Sequence, residues 1–115
     1  MIHRIQNVYT LARDMDRQQA FYGNALGFKT KFRDQSAWVQ FAVGGSNFAL
    51  SSVAEGAAGM SGSVAVFESS DLPGVRECVE MGGGVFCQAR DMGPHGSVFT
   101  FADPEGNVFQ VFSRA

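Results

Sequence analysis

Apolar and polar residues alternate over short runs along most of this chain, and glycines separate the runs. In Trp38-Val39-Gln40-Phe41, Val39 and Phe41 share one side while Trp38 and Gln40 share the other. That period of two is the signature of a half-buried strand. It predicts strands over about 7–11, 29–33, 37–43 and 47–52, with Gly44-Gly45 as a hairpin turn. Between the first two strands the period lengthens to that of a helix. Phe21/Ala25 and Tyr22/Leu26 are i,i+4 pairs on its inward side. Asp14 or Asp16 can accept the orphan N–H groups at its start, and Gly27 supplies the left-handed residue that ends it after Leu26.

The second half predicts the same elements. Strands fall at about 63–67, 85–89, 97–102 and 107–112. A helix capped by Asp71 carries Pro73 in its first turn, buries Leu72, Val75 and Val79, and stops at Gly82-Gly83-Gly84. Asp103-Pro104-Glu105-Gly106 reads as a tight turn with glycine where φ must be positive. Setting 36–53 against 96–113 superposes Phe41-Ala42 on Phe101-Ala102 and Asn47 on Asn107. Upstream, an offset of 57 places Asp14 on Asp71 and Gly27 on Gly84. The expected class is α+β: one domain of two βαβββ modules, about 1–53 and 63–115, joined by a linker over 53–62. The modules are expected to form a cupped mixed sheet, with helices on one surface and a concavity on the other.

Nine Lys and Arg against eleven Asp and Glu give a net charge of -2. No basic run is present to hold a phosphate backbone, so nucleic acid is not an expected partner. No apolar stretch approaches the roughly 18 residues that span a bilayer, and the N-terminus lacks the apolar core of a signal peptide. Membrane is therefore not expected either. Cys78 and Cys87 lack metal or redox spacing and read as reduced thiols in a cytoplasmic protein.

Eleven phenylalanines can build a core, line a concave apolar site, or both. The all-apolar set Val39, Phe41, Phe99, Phe101, Phe109 and Val111 is expected under the helices. The mixed set Asn7, Tyr9, Trp38, Gln40, Phe48, Val108 and Gln110 is expected in the concavity, where apolar walls with a few amides suit a small-molecule ligand. Trp38, the sole tryptophan, is the expected ligand-facing ring. Asn7 and Gln110 are amides that a ligand's polar edge could satisfy. His95 lies in a loop able to reach the mouth of such a concavity.

Ala20-Phe21-Tyr22-Gly23-Asn24-Ala25-Leu26-Gly27-Phe28 resembles the first-helix signature of the glyoxalase/bleomycin-resistance/extradiol-dioxygenase (vicinal oxygen chelate) superfamily. Phe101-Ala102-Asp103-Pro104-Glu105-Gly106-Asn107 resembles its closing hairpin, and 34–40 resembles the matching stretch of fosfomycin-resistance members. The resemblance covers essentially the whole chain and implies the two-module fold. Catalytic members hold a divalent metal through side chains on the first, fourth, fifth and eighth strands. The resemblance puts Asn7, Leu50, Val64 and Gln110 at those places.

Leu50 and Val64 have no donor atom, and the two amides bring no charge, so neither a metal nor another cofactor is expected. The expectation is a non-catalytic protein that binds or sequesters a planar or antibiotic-like molecule, with Leu50 and Val64 as apolar contacts. The alternative is an enzyme of the same superfamily (lyase, isomerase, dioxygenase or transferase) that is metal-independent or uses an unusual ligand set. Short modules with open strand edges make a homodimer the expected assembly.

Overall fold

The structure, a computed structural model, describes all residues 1–115. The chain divides into two compact units, Met1–Met60 and Ser61–Ala115. The first contains strand β1 (Val8–Ala12), helix α1 (Met15–Ala20), a π-helical turn (Phe21–Ala25), and strands β2 (Lys29–Asp34), β3 (Trp38–Val43) and β4 (Ser46–Ser52). The second contains β5 (Ala65–Glu68), α2 (Leu72–Met81), β6 (Val85–Asp91), a 3-10 turn (Gly93–His95), β7 (Ser97–Ala102) and β8 (Val108–Ser113). Each unit holds one four-stranded sheet, in the orders β1-β4-β3-β2 and β5-β8-β7-β6. The β1/β4 and β5/β8 pairs are parallel and the rest antiparallel. The repeat inferred from sequence is thus a repeat of topology. It extends to a β-bulge at matching places, between Thr30 and Phe32 and between Phe86 and Gln88.

Asp14 caps α1, its Oδ1 accepting from the Arg17 N–H at 3.1 Å. The helix does not continue as a regular α-helix to Leu26 as expected. From Phe21 it widens into a π-helical turn. Here Phe21 and Tyr22 are both buried. Gly27, at φ 74°, then reverses the chain. In the second unit Asp71 caps α2 through the Gly74 N–H at 3.0 Å.

α1 packs on β3 and β4, and α2 on β6 and β8. Under α1 lie Tyr22, Phe28, Phe41 and Phe48, with Tyr22 and Phe48 ring centroids 5.1 Å apart and Phe41 and Phe48 stacked. Under α2 lie Phe101 and Phe109, stacked at 5.4 Å, beside Leu72, Val79 and Val111. The Arg76 guanidinium covers the Phe86 ring at 3.9 Å. Each of the fully buried rings, Tyr22, Phe41, Phe48, Phe101 and Phe109, contributes roughly 1.5–3 kcal/mol by leaving water. No helix is long and apolar enough to cross a membrane.

Candidate functional site

Strand register decides which side chains share a face. On the first sheet Tyr9 lies beside Ala49, Ala49 opposite Gln40, and Gln40 opposite Phe32. One row further, Leu11, Ser51, Trp38 and Asp34 line up; on the other side, Asn47, Ala42 and Lys29 do. All point away from α1. Asn7, just before β1, has the same parity as Tyr9. Four expected site residues, Asn7, Tyr9, Trp38 and Gln40, therefore share the open face.

Their contacts are specific. Trp38 meets Tyr9 edge-on at 5.4 Å, and its Nε1–H donates to Gln40 Oε1 at 3.1 Å. Gln40 is buried and Trp38 half-buried. With Gln40 Oε1 taken by the indole, its Nε2 is left as a donor on this face. The Tyr9 hydroxyl accepts from the Ala57 N–H at 2.8 Å, tying the segment after β4 back to β1. Asn7 Nδ2 donates to Gln6 Oε1 at 2.5 Å.

Phe48 and Leu50 are corrections. Phe48 pairs with Phe41 and Leu50 with Val39, so both face the helix and are core residues, 4% and 0% exposed. The equivalent pair in the second sheet is Phe101 with Phe109. The β7–β8 connection is therefore one residue longer than the β3–β4 turn. Setting Asn47 on Asn107 misses that residue, and a slip of one moves every side chain to the opposite face. The residues of β4 on the open face are Asn47, Ala49 and Ser51.

In the second unit Val108 and Gln110 share the open face with Val66, Val98 and Thr100. Gln110 Nε2 donates to Thr100 Oγ1 at 3.0 Å, leaving its Oε1 as an acceptor. Val64 precedes β5 with the parity of Val66; Val64, Val66, Val85 and Val108 are all exposed. His95 is exposed in the 3-10 turn between β6 and β7.

A divalent metal, which the resemblance implies, does not fit these residues. Leu50 faces the core, Val64 has no donor, and Asn7 and Gln110 are neutral amides. No three His, Cys, Asp or Glu side chains cluster to hold an ion. Three residues of the first open face escaped sequence reasoning: Lys29, Lys31 and Phe32. Lys29 and Lys31 alternate onto one face, and the bulge in β2, which nothing in the sequence marks, brings Phe32 to the same side.

A family model describing a glyoxalase-like domain matches residues 7–112. The chain belongs to the glyoxalase-like domain family. Solved structures repeat the family's fold at low identity. Lactoylglutathione lyase from Agrobacterium tumefaciens is 18% identical with a TM-score of 0.75, covering 96% of this chain and 92% of that one. A glyoxalase/bleomycin resistance protein/dioxygenase family enzyme from Burkholderia phytofirmans is 18% identical at 0.74, covering 96% and 98%. A mutant of the fosfomycin resistance protein FosX from Listeria monocytogenes, complexed with Mn(II) and 1S,2S-dihydroxypropylphosphonic acid, is 15% identical at 0.80, covering 100% and 93%. Among curated proteins no sequence matches. The glyoxalase-like fold of this chain thus carries amides and apolar side chains where the metal-binding resemblance would require charged donors.

Proposed function

We propose that this glyoxalase-like protein binds a planar, antibiotic-like small molecule without a metal and without transforming it, as a cytoplasmic homodimer. The observation that carries the reading is the open face of the first sheet, where an indole, a buried amide and an exposed phenyl ring stand in adjoining rows with no metal-donor set. Trp38 offers a stacking surface and Gln40 a donor. Flat apolar walls with a few directed polar groups favour a rigid ligand, which gives up little entropy on binding. Exposed valines on the second sheet and four open strand edges support pairing with a second chain.

The test is a thermal-shift screen of planar antibiotics and small metabolites. Hits are then titrated by tryptophan emission, with the ligand recovered and analysed afterwards. The expected result is a saturable change in Trp38 emission and an unaltered ligand. Turnover of the ligand would overturn the reading in favour of an enzyme of the same fold.

A further inference from the structure

We infer that the ligand received on the open face of the first sheet carries an anionic group (a carboxylate, phosphate or sulfonate) bound by Lys29 and Lys31; this rests on the binding reading above and names its ligand class. Their i,i+2 spacing puts both lysines on one face, and the β2 bulge adds Phe32 to it. Lys29 pairs with Ala42, on the open side; Lys31 is the extra residue before Phe32. Its Nζ donates to Asn47 Oδ1 at 3.0 Å, and Asn47 is open-facing through its pairing with Ala42. Asn47 is itself held, its Nδ2 donating to the Gln6 carbonyl at 3.0 Å. A lysine ammonium has three donors, and Asn47 takes one. Two remain for an anion.

Neither lysine is neutralised. Arg33 pairs with Asp16, Arg76 with Glu80 and Arg114 with Glu68, and neither lysine takes part in these pairs. Arg33 pairs with Val39 and so belongs to the helix side of β2. The carboxylate on the open face, Asp34, stands opposite Trp38 at the far end of β2. Counted on β3 from Trp38 to Ala42, their partners, it lies about 13 Å from Lys29, beyond a Debye length of about 8 Å. The charge distribution points the same way: residues 1–60 hold six of the nine Lys and Arg but four of the eleven Asp and Glu.

Phe32 supplies the link between the cations and the planar site. It sits opposite Gln40, one row from Trp38, and is 49% exposed. An exposed phenyl ring between an indole and two unpaired ammonium groups suits an aromatic body with an acidic end. Trp38 and Ala42, the ends of this track on β3, are about 13 Å apart along the strand.

The experiment is calorimetric titration of the full chain with naphthalene-2-carboxylate and its neutral isostere naphthalene-2-carboxamide. It is repeated on a variant carrying Lys29→Gln and Lys31→Gln, with a melting curve to verify its fold. The expected result is about tenfold or greater preference for the carboxylate at low salt, shrinking as salt is raised. In the variant the preference should fall below about threefold while carboxamide affinity stays unchanged. Equal affinity for the two probes in the natural protein, or a preference that survives in the variant, would overturn the inference. Binding of neither probe, with Trp38 emission unmoved, would instead overturn the planar-ligand reading on which it depends.

Discussion

Asp103 shows how one side chain can hold a turn together. It is 2% exposed, and its Oδ1 accepts from the Glu105 and Asn107 backbone N–H groups, both at 2.9 Å. Its Oδ2 accepts from Asn107 Nδ2 at 2.8 Å. Asp103→Ala would strand these donors in a site with little access to water, at about 2–3 kcal/mol. For a chain of this length the melting temperature should fall by roughly 10–20 °C. Asp103→Asn keeps an oxygen for the two backbone donors and should cost less than half as much; equal losses for the two variants would show that the bonds are not what matters.

Trp38 tests function at the same scale. Replacing it by alanine removes the stacking surface and its apolar area, and binding of a planar ligand should weaken by roughly 2–4 kcal/mol. That is a factor of about 30 to 800, measured by calorimetry since the fluorophore is gone. Wild-type affinity in Trp38→Ala would make the indole a packing residue and move the site elsewhere.

Among the elements, the β6–β7 connection is the most constrained. Gly96 has φ 99° and ψ -159°, a region open essentially to glycine alone. A Cβ there would run into the Ser113 carbonyl oxygen on β8 and approach the Phe112 ring at 3.0 Å. Backbone cannot step aside as a side-chain tip can, so Gly96→Ala should cost about 2 kcal/mol or more. Hydrogen exchange should show the loss first in β7 and β8; protection there unchanged from wild type would contradict it. By contrast, the neighbour facing a Cβ at Gly56 is the tip of Leu11, which can swing away.

For the molecule as a whole, two measurements follow from the proposed function. The purified protein should contain well under one divalent ion per chain after mild dialysis, because its donors are neutral amides and its charged groups do not cluster. One retained equivalent of manganese, zinc or nickel by elemental analysis would contradict this and revive metal chemistry. Sedimentation equilibrium at micromolar concentration should give twice the 12.4 kDa chain mass. The reason is exposed apolar area: Val64, Val66, Val85 and Val108 are each about half exposed in the second unit, and a second chain would cover them. A monomer across that range would refute the dimer.

Period and punctuation in the sequence were enough for the strand and helix order, the caps at Asp14 and Asp71, and the Asp103–Gly106 turn. Each depends on local geometry that a few adjacent residues dictate. They were also enough to send Val39, Phe41, Phe101, Phe109 and Val111 to the helix side, since alternation within one strand needs no knowledge of the next. What tertiary structure decided was the relation between strands. One extra residue in the β7–β8 connection transferred Phe48 and Leu50 from the expected site to the core. One extra residue in β2 moved Phe32 onto the open face, beside Trp38 and Gln40 and next to Lys29 and Lys31. The π-helical turn that carries the buried Phe21 and Tyr22 was not legible either, since the local pattern reads as a regular helix to Leu26. Pairing register is set by contacts across the sheet, and a slip of a single residue, invisible in either strand alone, exchanges core for surface.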